Sequence, residues 1–319
     1  MSRAYVRSTA AAVAACVMML CGVAAAHAAT YNVSTTLDFD NGACTAGDCT
    51  LREAINAANA SGEPDTIHLA AGVYALSVAG TDEDSNVNGD LDVASQASSG
   101  TLTILGVGMN KTSITGNAAG ERVFHGQTSN LYVSDLTISG GNSVSQSSPQ
   151  GGGIYMASGG TLTLVRVRMT DNTASGAGGG AIFVESSASL IMQFARIDNN
   201  QASAGDGGGV RVDSGSIATI GESEFSSNSA FGNGGGVAVE GSTASASFYD
   251  STLHANAANV NGGGLYLNSN STATLFNVTL TSNIADQNND SAGDGGGFYQ
   301  SAATSLITLA NSLLANNVR

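Results

Sequence analysis

"GGGAIFVESSASLIMQFARIDNN", residues 178–200, decides the fold, because the chain says it again and again. The glycine triplet recurs at residues 151, 178, 207, 234, 262 and 295. After each comes a short alternating stretch: Ile154-Tyr155-Met156, Ala181-Ile182-Phe183, Val210-Arg211-Val212, Val237-Ala238-Val239, Leu265-Tyr266-Leu267 and Phe298-Tyr299-Gln300. Each copy then crosses a polar break into a second stretch that closes on Asn172, Asn200, Asn228, Asn256, Asn283 or Asn317. Three residues before the asparagine stand Met169, Ile197, Phe225, Leu253, Leu280 and Leu314. Eight before stand Leu164, Met192, Ile220, Phe248, Leu275 and Leu309, and ten before stand Leu162, Leu190, Ala218, Ala246, Ala273 and Ile307. A weaker copy runs from Leu131 through Ile138, with Gly141 in the asparagine's place.

Alternation of period two is the mark of strands. A repeat of roughly 28 residues with no helix cannot bury an apolar face alone, and stacked copies can, each strand pairing with its equivalent ~4.8 Å above and below. The expected fold is therefore all-β: a right-handed parallel β-helix with one repeat per coil. A propeller blade of ~40 residues with four strands does not fit so short a period. The asparagines are expected at tight bends, with side-chain amides bonded along the stack. The glycines are expected where a coil turns or approaches its neighbour closely.

Composition agrees. With 42 Gly, 2 Pro, no Trp and only 11% charged residues, the chain is rich in small residues. Its 42% apolar content is too high for a disordered polymer. The formal net charge of −15 repels nucleic acid and anionic lipid, so no nucleic-acid partner is expected.

Residues 1–28 read as a secretory leader: Arg3 and Arg7, an Ala/Val/Met/Leu run, then the cleavage pattern Ala26-His27-Ala28. No later stretch approaches the ~20 apolar residues of a membrane span. The expectation is a Sec-exported protein, secreted or held at the cell surface and outer membrane. Cys16 and Cys21 leave with the leader, and export favours a disulfide between the remaining Cys44 and Cys49.

One segment is helical. In "CTLREAINAANA", residues 49–60, Thr50 and Glu53 form a capping box, and Leu51, Ala54, Ile55 and Ala58 share one face. An open solenoid end exposes apolar interior and an unpaired edge. The helix is expected to lie across that end as a lid, with "DTIHLAAGVYAL", residues 65–76, as the first coil's strands. Residues 29–99 would then be the cap and first coil, and 100–319 the repeating coils. The last coil is expected to leave an edge open to a C-terminal or end-to-end partner.

The stretch 49–60, with Tyr31-Asn32-Val33, Asp40 to Cys44, "GDLDV" (89–93) and "LTILGVG" (102–108), resembles the bacterial CSLREA domain over residues 30–140. Thr50 stands where that name has Ser. The coils resemble the repeats of chlamydial polymorphic outer-membrane proteins, through Gly179-Gly180-Ala181-Ile182 (GGAI) and Phe225-Ser226-Ser227-Asn228 (FxxN). The resemblance implies a surface-exposed β-helix with adhesive roles, although those proteins end in a membrane barrel.

Carbohydrate lyases of pectin-lyase-like fold use the same solenoid, and such chemistry needs a carboxylate-held cation and a base. Arg168, Arg196 and Glu224 form one outward column, and Arg166, Phe194, Glu222 and Asp250 another. Both read as ion pairs between coils rather than as a catalytic set. No G-x-S-x-G occurs, and His68, His125 and His254 lie in unrelated contexts, so no catalytic residue is assigned. "DSNVNGDLDVAS", residues 84–95, places Asp84, Asn86, Asn88 and Asp92 as candidate Ca²⁺ ligands in EF-hand-like order, with Ser95 where a bidentate Glu belongs. No other cofactor is expected. The outward residues after the glycines, Tyr155, Ile182, Arg211, Ala238, Tyr266 and Tyr299, form a candidate ligand face, with Tyr266 over Tyr299. The favoured function is non-enzymatic adhesion to a glycan or cell-surface ligand. The alternative is a polysaccharide lyase or glycoside hydrolase, which a compact acidic cluster beside one arginine in a groove would favour.

Overall fold

The computed structural model describes residues 27–94, 100–116 and 120–319. The leader up to residue 26, with Cys16 and Cys21, lies outside them, as does Ser95. The chain winds as a right-handed parallel β-solenoid of about 28 residues per coil. Every ladder between named strands is parallel, from Thr30–Asn32 on Thr66–His68 to Leu280 beside Leu314. One long sheet carries the second stretch of each repeat. Another stacks eight strands, Leu91–Val93, Phe124–Gly126, Ile154–Met156, Ile182–Val184, Val210–Val212, Val237–Val239, Leu265–Leu267 and Phe298–Gln300. A four-stranded ribbon of two-residue strands closes the section.

The apolar columns stand as the spacing predicts. Met169, Ile197, Phe225, Leu253 and Leu280 are consecutive ladder partners, and all five are fully buried. At the far end Leu309 and Leu314 continue their columns with 41% of their surface exposed, because among the described residues no coil lies above them. The asparagine ladder also forms. Each amide oxygen accepts from the backbone and side-chain nitrogens of the asparagine one coil before, as Asn228 Oδ1 does from Asn200 N (3.0 Å) and Nδ2 (2.9 Å). Where Gly141 replaces the asparagine, its N–H donates to Asn172 Oδ1.

Two expectations need correction. The left-handed bend is not at the asparagines but one residue earlier, at Asp171, Asn199, Ser227, Ala255, Ser282 and Asn316. The asparagine itself must keep its amide in the dry ladder, so its predecessor takes the turn. Arg166, Phe194, Glu222 and Asp250 bend likewise. Ala255, exposed with φ 53°, gains nothing from its methyl group there. Ala255→Gly is expected to raise stability by about 0.5–1 kcal/mol, read as a higher denaturant midpoint. The second correction is one of register. Phe183, not Ile182, pairs with Tyr155 and Arg211 in the outward column. Ala181 takes the third glycine's place, so that strand starts one residue late and Ile182 turns into the core.

The lid forms as expected over Leu51–Ser61, and the Thr50–Glu53 capping box closes reciprocally. Leu51, Ala54, Ile55 and Ala58 join the solenoid's core. The polar side of the helix does as much. Asn59 donates to the Asp92 carbonyl and accepts from Ala94 N, completing the open edge of the first strand of the eight-stranded sheet. Cys44 and Cys49 are joined just before the helix.

Candidate functional site

The eight-stranded sheet aligns one outward residue per coil: Asp92, His125, Tyr155, Phe183, Arg211, Ala238, Tyr266 and Tyr299. Parallel in-register pairing forces this, because alternate residues of every strand point the same way. Four of these, Tyr155, Arg211, Tyr266 and Tyr299, are the candidate ligand face. The rings pack on one another: Tyr155 stacks on Phe183 with centroids 5.7 Å apart, and Tyr266 on Tyr299 at 6.2 Å. Arg122 lies over Tyr155 and Arg211 over Phe183. The ring faces are thus taken up along the column, and Tyr266 retains only 5% exposure. A sugar approaching from outside meets ring edges and polar atoms rather than flat faces.

At the N-terminal end this column opens into a recess of about 260 Å³ whose lining includes Asp84, Arg122, His125, Gln146, Ser147 and Tyr155. Asp92 and His125 come from paired strands, while Asp84 comes from the loop before them. His125 Nδ1 is 3.2 Å from Oδ1 of Asp84 and 3.2 Å from Oδ1 of Asp92. Gln127 donates to the Asp84 carbonyl (2.8 Å) and to Asp92 Oδ1 (3.1 Å), and Asn86 N donates to Asp92 Oδ2 (3.0 Å). Arg122 donates to the Gln146 side chain and the Ser148 carbonyl.

Of the four oxygen ligands expected from residues 84–92, the fold brings Asp84 and Asp92 together and turns Asn86 and Asn88 to other places. Asn86 is buried under the lid, donating to the Arg52 carbonyl and to Asn56. The Asn88 amide lies against Gly80, where an added Cβ would come within 1.6 Å of its oxygen. The sequence leaves His125 in an unrelated context, as a residue not expected to be a ligand, and only the register of Asp92 with His125 reveals the grouping.

Carboxylates crowd this end. Burial, with Asp92 nearby and Arg122 opposing, pushes the Asp90 carboxyl up to about 8. Burial against the pull of Arg122 likewise lifts Glu121 to about 7. Further along the column, burial raises Glu240 to about 7 although Arg211 Nη2 is 2.9 Å away. Asp206, 3.7 Å from the same arginine, adds to that rise. A carboxyl whose folded pKa exceeds its unfolded value near ~4 takes up a proton on folding, so stability falls as pH rises through that window. The denaturation midpoint is therefore expected to drop between pH 5 and 8. Asp90→Asn should flatten part of that decline, which midpoints at the two pH values would read directly.

Ion pairs between coils line the outward face of the long sheet, mostly through partners outside the two expected columns; within those columns Arg196 meets Glu224 at 3.9 Å. Arg166 meets Asp135 at 2.6 Å, Arg168 meets Asp198 at 2.6 Å, and His254 meets Glu224 at 2.7 Å. A second, shallower concavity of about 560 Å³ lies beside them, lined by Phe194, Arg196, Glu222, Asp250 and His254 among others. Arg196 and His254 both pair with Glu224 there, on partly exposed side chains, so each pair adds little. Among the described residues no helix is long and apolar enough to cross a membrane.

A compact acidic group beside a single arginine in a recess is thus present, and it rests on the stacked coils. Comparison with known proteins bears on those coils. No curated protein matches the chain. Among solved structures it is similar to the mannuronan C-5 epimerase AlgE6 A-module of Azotobacter vinelandii, at 17% identity over 90% of this chain and 91% of that one, with a TM-score of 0.43. Residues 122–318 match the family model for the right handed beta helix region. That span covers more than half of the sequence, and the chain belongs to the right-handed β-helix family.

Proposed function

We propose that the protein is an exported bacterial β-helix module that engages glycans at a surface, with the recess beside Tyr155 as its binding site. The observation that carries this reading is the composition of that recess. The polar side chains of Arg122, Gln146, Asp84, Glu83, Ser147 and Ser148 line it together with the aromatic side chain of Tyr155. Dense, mixed donors and acceptors suit a polyhydroxylated ligand, and a solenoid holds them on rigid strands. The acidic balance of the chain disfavours an anionic polymer and points to a neutral or amino sugar.

The test is incubation of the purified protein with a panel of immobilised polysaccharides, scoring retention and depolymerisation together. Retention without cleavage, reduced at least about tenfold by Tyr155→Ala, is the expected result. Absence of retention on every member, or retention indifferent to Tyr155, contradicts the reading. A second reading, a carbohydrate-active enzyme, is favoured by the feature expected of it, the compact acidic group beside Arg122 in the recess. His125, Asp84 and Tyr155 share the recess, and these side chains can serve as general acids and bases. Shortened products that vanish in His125→Gln would establish it instead.

A further inference from the structure

We propose that Asp84, Asp92 and His125 form a binding site for a first-row divalent transition metal, with Zn²⁺ as the fitting ion. Asp84 and His125 also line the recess, so the ion would sit in its wall, but metal binding is read without any sugar present. One ligand atom from each of the three side chains falls within 4.8 Å of the others. The Nδ1 atom of His125 is equidistant, at 3.2 Å, from a carboxylate oxygen of each aspartate. One imidazole nitrogen carries at most one proton and can serve only one of two such acceptors well. An ion held at ~2.0–2.2 Å by tetrahedral or octahedral ligands sets neighbouring ligand atoms about 2.8–3.6 Å apart. Both separations from His125 Nδ1, 3.2 Å each, fall in that range before any ion enters.

The surroundings are those of a supported ligand set. Asp92 is buried on a strand, its Oδ2 fixed by Asn86 N and its Oδ1 by the Gln127 amide. Gln127 also grips the Asp84 carbonyl, tying the loop ligand to the strand ligands. Metal-binding side chains are commonly oriented through such outer hydrogen bonds. Four residues before His125, Glu121 is 1% exposed, and its Oε1 has no hydrogen-bond partner. This unpartnered buried acceptor lies within electrostatic reach of Asp92. Asp84 is 74% exposed on its side chain, leaving an entry path and room for water to complete the coordination.

Ligand chemistry selects the ion. Ca²⁺ asks for six to eight oxygens, and Asn86 and Asn88 are turned elsewhere. One imidazole with two carboxylates suits Zn²⁺ and its first-row neighbours.

Calorimetric titration of the EDTA-treated full chain with Zn²⁺, and separately with Ca²⁺, tests the assignment. The expected result is one Zn²⁺ per chain and no heat from Ca²⁺ at matched concentration. Asp84→Asn and His125→Gln should each weaken Zn²⁺ at least about tenfold, and Gln127→Ala, which removes only the orienting amide, also about tenfold. Asp84 is exposed, so metal-free Asp84→Asn should melt where the wild type does, separating lost binding from lost folding. The assignment is overturned by absence of Zn²⁺ binding, by unchanged affinity in Asp84→Asn and His125→Gln, or by a preference for Ca²⁺.

Discussion

Asn228→Ala is expected to destabilise the solenoid by about 4 kcal/mol, more than any surface change in the chain. The side chain is fully buried and joined on both sides. Its Oδ1 accepts from Asn200 N at 3.0 Å and Asn200 Nδ2 at 2.9 Å. Its Nδ2 donates to the Ile197 carbonyl at 2.8 Å and to Asn256 Oδ1 at 2.9 Å. Alanine leaves the Asn200 N–H and the Ile197 carbonyl without partners in a dry interior, at about 1–3 kcal/mol each, and opens a void besides. Asn228→Asp is no rescue, since a carboxylate cannot donate to either acceptor. Asn317, at the open end, should cost only about 1 kcal/mol when truncated, because water reaches what it leaves behind. Solenoids unfold in parts. Denaturant midpoints should therefore be paired with hydrogen exchange at the coils flanking residue 228.

Arg52→Ala is expected to cost about 3–5 kcal/mol and to release the lid. Arg52 is wholly buried under the helix and pairs with Asp38 at 2.8 Å. It also donates to the carbonyls of Gly89 (2.8 Å) and Asp90 (3.0 Å). One guanidinium thus ties the helix, the Asp38 loop and the Gly89–Asp90 turn that leads into the first strand of the eight-stranded sheet. Burial alone would raise the Asp38 carboxyl, but hydrogen bonding from Arg52 and from Val78 and Ser77 N–H groups outweighs it and holds the pKa down. A depressed carboxylate stabilises the fold above its unfolded value near ~4 and loses that contribution as pH falls through the folded one. The wild-type lid should therefore loosen in acid. Arg52→Lys should recover little, because an ammonium cannot reach carboxylate and carbonyls in one plane. Limited proteolysis at the 38–62 segment, with the denaturant midpoint, measures both effects.

The coil architecture was legible because stacking repeats the same demand in every winding: apolar columns such as Leu164 to Leu309 and the asparagine file can be read by spacing alone. The lid's apolar face was legible for a similar reason, since periodicity marks it. Its polar half was not. Arg52 and Asn59 satisfy the backbone of residues 89–94, far away in sequence, and no local pattern announces such a partner. The same limit hid His125, which meets Asp92 only through strand register. Register also misplaced Ile182, where an alanine in a glycine's position shifts the count by one. The short oxygen-rich loop at 84–92 matched an ion-binding order by residue type, while its backbone sends Asn86 inward to the helix.

A crystal structure soaked with whichever oligosaccharide the polysaccharide panel retains tests the proposed site most directly. Sugar density within hydrogen-bonding distance of Arg122, Gln146 and Asp84, against the edge of Tyr155, is the expected outcome. Density confined to another face of the solenoid, with the recess filled by solvent alone, would contradict it.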